Sequence, residues 1–97
     1  MIKFQWDPLK AVQNAQKHEI TCAEASTVFG DTLAISIFDP DHSTDEDRFI
    51  TIGSSSKGIP LLVSYTEYGD IIRIISARKL TRTERKAYEN EIKRRKA

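Results

Sequence analysis

Disulfide cross-links, membrane insertion and linker-joined modules all need residues that this 97-residue chain does not supply. Its one cysteine, Cys22, excludes an internal disulfide and agrees with a reducing compartment. No apolar run approaches the roughly 20 residues of a membrane span, and the N-terminus lacks the basic-then-apolar order of a secretory leader. The expectation is a soluble, cytoplasmic protein without membrane association. No Gly/Ser/Pro-rich stretch divides the chain and no repeat appears, so residues 1–97 read as one domain with one small core. A helix-turn-helix pattern is missing, which argues against sequence-specific DNA binding by this chain alone. The loop Asp39–Asp47 holds five carboxylates and His42 but not the ladder of a calcium loop. Neither a metal nor a cofactor is expected. That loop reads as solvated, or as a source of ion pairs from Asp45, Glu46 or Asp47 to the basic C-terminal helix. Cys22 reads as a small buried residue, with a thiolate favoured by a helix start as the alternative.

What the chain does have is charge, unevenly placed. The formal net charge is +1, yet residues 78–97 carry nine basic against three acidic side chains and residues 1–77 carry six against eleven. A basic C-terminus of net +6 is thus joined to a body of net −5, an asymmetry that suits a polyanion or an acidic protein partner. Within the most strand-like run, Ile71-Ile72-Arg73-Ile74-Ile75-Ser76-Ala77-Arg78, two arginines interrupt β-branched residues. Apolar side chains at Ile72, Ile74 and Ile75 predict a central strand covered on both faces. Arg73 and Arg78 are open to two readings, ion pairing with the chain's carboxylates or an anion-binding surface. Strict alternation puts them on opposite faces, so a shared site requires that the strand end or bulge before Arg78.

The remaining elements follow from caps and periodicity. Ile2–Trp6 alternates as a first strand, and Asp7-Pro8 opens a helix with Asp7 as N-cap. On its wheel Leu9, Ala11, Val12 and Ala15 form the inward side. Lys10, Asn14, Lys17 and His18 form the other, either a solvated face or a functional stripe. Thr21-Cys22-Ala23-Glu24 reads as a capping box for a second helix ending at a left-handed Gly30-Asp31. Strands are predicted from Leu33 to Phe38, from Arg48 to Gly53 and from Leu61 to Thr66, with a tight hairpin at Thr66–Asp70 leading into Ile71. Thr81-Arg82-Thr83-Glu84 caps a last helix that only Tyr88, Ile92, Ala87 and Leu80 can dock, and its tail Lys93–Lys96 is expected to fray.

This order, β-α-α-β-β-β-β-α, carries Phe4-x-Trp6-Asp7-Pro8-x-Lys10, Asn14, Lys17-His18, Glu24-Ala25, Val28-Phe29, Asp39-Pro40-Asp41-His42-Ser43, Arg48-Phe49, Ile52-Gly53, Arg73-Ile74-Ile75-Ser76-Ala77-Arg78, Glu84-Arg85 and Tyr88-Glu89. As an ordered set covering most of the chain, it resembles the BrnT family of type II toxin–antitoxin toxins. The resemblance implies an α+β, RelE-like fold with an antiparallel β-sheet, two N-terminal helices and a C-terminal helix. It also implies a metal-independent endoribonuclease that arrests translation and growth. Its partners would be RNA, a neutralising BrnA-type antitoxin and operator DNA bound only as the toxin–antitoxin complex, with a possible dimer formed through the antitoxin. Such RNA cleavage uses the 2′-hydroxyl as nucleophile and needs a proton acceptor, a proton donor and cations at the phosphorane. Candidate catalytic residues are Arg73, Arg78, His18, Lys17 and Tyr88, with Lys10, Asn14, Arg48, Arg82 and Arg85 contacting RNA. Tyr65 is a second candidate proton donor or base-stacking surface, Tyr88 is equally a core anchor, and His18 equally a helix cap. The chain departs from relatives in having Tyr68 for an arginine, Glu19 for a glycine and Cys22 for an aromatic. The alternative is accordingly a catalytically weak or inactive relative that serves as an antitoxin-binding and co-repressor module.

Overall fold

Two nine-residue strands joined by a two-residue turn form the central hairpin, β4 (Pro60–Tyr68) and β5 (Ile71–Lys79). Gly69, at φ 62°, supplies the left-handed residue that so tight a reversal needs. The computed structural model describes residues 2–42 and 46–96. Around the hairpin lie β1 (Lys3–Trp6), α1 (Pro8–His18), α2 (Cys22–Thr27), β2 (Ile35–Phe38), β3 (Phe49–Ser54) and α3 (Arg82–Lys96), with 3-10 turns at Val28–Gly30 and Pro40–His42. The fold is α+β, and its five-stranded sheet runs β1-β5-β4-β3-β2.

The expected antiparallel sheet is corrected at one edge, where β1 pairs parallel to β5, Lys3 opposite Ile71 through Trp6 opposite Ile74. The chain between them is long enough to cross the sheet and return in the same direction, as parallel pairing requires. β5 is therefore an interior strand, but β4 is the middle one. Only α1 has the length of an ordinary helix in the N-terminal region, since α2 has six residues and passes directly into the 3-10 turn. Gly30 does not adopt the left-handed conformation expected of it. Glu19 does so instead, at φ 61°, ending α1. The second strand begins only at Ile35 because residues 32–33 form a turn, in which Leu33 N–H donates to Asp31.

One sheet face carries the core. Ile20, Ala25, Val28, Leu61 and Val63 are fully buried, with Tyr65, Ile72, Ile74 and Ala77 beside them. Phe4, Phe29, Tyr65 and Phe49 follow one another in ring contact through it. Tyr65 is thereby a core residue, its oxygen accepting from Thr51 at 3.0 Å. Burial pushes the Cys22 thiol above its ordinary range, in keeping with a packed residue and not a thiolate.

The inward side of α1 is only partly the one read from its wheel: Ala11 packs against the core and Lys10 and Lys17 are exposed as expected, but two apolar residues and Asn14 change places. Leu9 and Val12 are 67% and 55% exposed, whereas Asn14 is 8% exposed. The cause lies in β5, because β1 pairs with it only as far as Ile74 and leaves the next peptide groups without a strand neighbour. Asn14 takes that neighbour's place. Its amide donates to Ala77 C=O at 2.9 Å and to Ile20 C=O at 3.0 Å, and accepts from Ala77 N–H at 3.1 Å. Unpaired buried peptide groups cost about 1–3 kcal/mol each, enough to decide which side of α1 turns inward.

Candidate active site

The core face of the sheet holds the structure together, and the opposite face holds the charge. Ser64 on β4 faces Ser76, but Tyr65 faces Ile74, so Ile75 is an extra residue in β5. This bulge resets the alternation. Leu62, Ser64 and Thr66 share a face, and their partners across the ladder are Arg78, Ser76 and Arg73. Arg73 and Arg78, five residues apart, consequently lie on one side of the sheet, which an unbroken strand forbids.

Helix α1 brings the histidine to Arg78. Asn14 fixes the helix against Ala77, and His18 follows four residues later on the same side. It reaches the cavity of about 370 Å³ lined by Arg78, Arg48, Ser76, His42 and Glu84. Two neighbouring hollows share its walls. One, of about 450 Å³, adds Lys17 and Glu19 beside His18 and Arg78. The other, of about 140 Å³, places Lys10 and Arg73 beside Arg48 and Ile75. The result is a groove running Lys17, His18, Arg78, Arg48, Arg73, Lys10, with Trp6 and Arg73 meeting in a further open hollow.

Six of the ten residues singled out from sequence therefore come together, and four do not. Asn14 is buried beneath α1 with its amide bonded to the Ile20 and Ala77 backbone groups and does not line the groove. The Tyr88 hydroxyl donates to Asp31, which also accepts from Ser54 N–H, so Tyr88 anchors α3 away from the groove. Burial, then the Asp31 charge, push its pKa up. Arg85 pairs with Glu89 along the outside of α3, and Arg82 is exposed in its first turn. The tail expected to fray is helical. α3 continues to Lys96, with Arg94 and Arg95 bonded to Glu91 and Arg95 reaching Leu33 C=O.

Three groups in the cavity were not among the sequence candidates. Glu84 completes the capping box with Thr81 and also takes both arms of the Arg78 guanidinium, at 2.7 and 3.0 Å. The Arg78 bonds and then the Thr81 N–H hold its carboxyl at about 2. The pairing pushes Arg78 upward against a smaller desolvation effect. The box itself is a sequence signal, but its second use is not. Thr21 caps Glu24 N–H, yet the Glu24 carboxylate turns to Ser55 and Lys57 and does not return to Thr21, so the first capping box is half formed. His42 and Asp39 are the other two, with Nδ1 and a carboxylate oxygen 2.8 Å apart. Of the expected ion pairs from the acidic loop, Asp45 lies outside the described residues, while Glu46 accepts from the Tyr68 hydroxyl. Among the described residues no group of three or more His, Cys, Asp or Glu is arranged to hold a metal ion, and no helix is long and apolar enough to cross a membrane.

These features define a small α+β protein with a groove across one face of its sheet in which arginines and lysines alternate with the carboxylates of Glu19, Glu84, Asp39, Glu46 and Asp7. The family profile described as "Ribonuclease toxin, BrnT, of type II toxin-antitoxin system" matches residues 6–84. The chain belongs to that family. The crystal structure of the Brucella abortus ribonuclease toxin BrnT shares the fold, with a TM-score of 0.62 at 24% identity over 84% of this chain and all of that one. No curated protein sequence matches.

Proposed function

We propose that this chain is a toxin that cleaves RNA by metal-independent attack of the 2′-hydroxyl on the adjacent phosphate, arresting translation and growth until a BrnA-type antitoxin covers it. The observation that carries this reading is the bulge at Ile75, which turns Arg73 and Arg78 to one face, where His18 lines the same cavity as Arg78. Two guanidinium groups along a groove suit consecutive phosphates, and one beside a histidine suits the phosphate under attack. Arg78 stabilises the phosphorane, Arg73, Arg48 and Lys10 track the backbone, Lys17 assists at the far end, and His18 takes the 2′-hydroxyl proton. A RelE-like relationship, binding of operator DNA by the toxin–antitoxin complex alone and dimerisation through the antitoxin belong to the same reading.

The test is growth and total RNA after induced expression, wild type beside Arg78→Ala. Arrest with RNA loss in the wild type alone supports the proposal. Unimpeded growth and intact RNA from folded wild-type protein overturn it. That outcome favours the second reading, a non-catalytic antitoxin-binding module, for which the occupied fork of Arg78 speaks, since Glu84 already takes both of its arms.

A further inference from the structure

Resting on the ribonuclease reading, we infer that His42, held by Asp39, is the general acid that protonates the departing 5′-oxygen, opposite His18 as general base. Cleavage through the 2′-hydroxyl needs two proton carriers, one on each side of the phosphorus. The tyrosines offered from sequence cannot supply the second, because Tyr88 is bonded to Asp31 and Tyr65 is buried among the core aromatics. The chain has two histidines, and both line the cavity that holds Arg78.

His42 arrives by a different route from His18. It closes the 3-10 turn Pro40–His42 after β2, where Asp39 N–H donates to Arg48 C=O and so ties the turn to the start of β3. The Asp39 side chain is only 13% exposed and that of His42 is 67% exposed, so the carboxylate is fixed and the ring reaches outward from it. With Nδ1–H donated to Asp39, Nε2 is the nitrogen left for substrate, and the carboxylate sets which nitrogen that is. The charged groups sharing the cavity are Asp39, Arg48, Arg78 and Glu84; an ionised carboxylate has no proton to give, and a guanidinium is a far weaker acid than an imidazolium.

In the step itself, the 2′-O–H proton passes to His18 as the O2′–P bond forms. The P–O5′ bond breaks while the proton on His42 Nε2 passes to O5′. The products are a 2′,3′-cyclic phosphate and a 5′-hydroxyl, with His18 left protonated and His42 neutral. Solvent exchange restores both.

A leaving group that needs no proton separates the two roles. His42→Ala, Asp39→Asn and His18→Ala are compared on an RNA oligonucleotide and on the same oligonucleotide with sulfur replacing the bridging 5′-oxygen at one scissile position. His42→Ala is expected to lose about 10²–10⁴-fold on ordinary RNA and to regain most of it on the sulfur-bridged substrate. Asp39→Asn is expected to lose roughly 10-fold or more, through the wrong tautomer, and to be rescued likewise. His18→Ala stays slow on both. Wild-type thermal midpoints for all three variants exclude a folding defect. Normal cleavage of ordinary RNA by His42→Ala overturns the inference and leaves the ribonuclease reading standing. Loss without rescue, or rescue of His18→Ala in its place, also overturns the assignment. No cleavage by the wild type overturns both readings.

Discussion

Replacing Asn14 by alanine tests whether α1 is docked through hydrogen bonds to β5 or presents Asn14 to RNA. The substitution removes three bonds, leaving Ala77 C=O, Ala77 N–H and Ile20 C=O without their partner at a position only 8% exposed. At about 1–3 kcal/mol for each buried group left unsatisfied, less what water recovers along the α1–β5 seam, the loss is roughly 2–5 kcal/mol. A domain of this size has about 5–15 kcal/mol in total. In urea, with a slope of about 1–3 kcal/mol per molar, the midpoint measured by far-UV circular dichroism falls by roughly 0.7–5 M. Asn14→Asp keeps the acceptor but cannot donate to either carbonyl, and it should fare no better. A loss under about 0.5 kcal/mol, accompanied by weaker RNA cleavage from the still-folded variant, would refute the structural role and return Asn14 to the RNA-contacting stripe.

Glu84→Gln should destabilise the protein by about 1 kcal/mol at pH 7, after allowing for solvent screening of a part-exposed pair. Because the folded carboxyl sits at about 2 against an ordinary 4.5, the contribution is complete above pH 4.5 and disappears as pH falls towards 2. Unfolding curves of the two proteins should therefore converge across that window, and a constant gap would be inconsistent with the pair. Glu19→Gly should stabilise by about 0.5–1 kcal/mol, since glycine occupies a left-handed residue without the penalty of a Cβ. A lower melting temperature would contradict this. Arg82→Ala and Arg85→Ala should leave the RNA cleavage rate within about threefold of wild type, whereas Arg73→Ala loses roughly 10-fold or more, as expected when a charge-assisted contact worth about 1.5–3 kcal/mol is removed. Equal losses from all three would move the interface onto α3.

Caps, turns and strands were legible because each depends on residues within a few positions. Asp7 before Pro8, Thr81 before Glu84 and Gly69 in its hairpin all occur as their local chemistry requires. The lateral position of β1 and the burial of Asn14 were not legible, because both follow from where β5 lacks a neighbour, a property of the assembled sheet. The wheel of α1 sorted residues by polarity, but Asn14 is buried for its polarity. Arg73 and Arg78 could be named as a pair from their chemistry, while the register that unites them depends on an extra residue opposite β4. Arg82 and Arg85 were drawn in by the basic count of the C-terminus, yet α3 turns them outward. His42 was visible only as part of an acidic loop, since its link to the groove runs through Asp39 and the pairing of β2 with β3.

The extra residue at Ile75 also bears on how this chain tolerates change. Deleting Ile75 would leave the arginines four apart in an unbroken strand, still on one side of the sheet, whereas a strand that kept all its residues but lost the bulge would send one guanidinium towards the hydrophobic side. Replacing Ile75 by another apolar residue keeps the count of five, and with it the need for the bulge that holds both arginines on one side. Five residues with the bulge and four without it both put the arginines on one side, so what this chain must keep is the match between spacing and bulge.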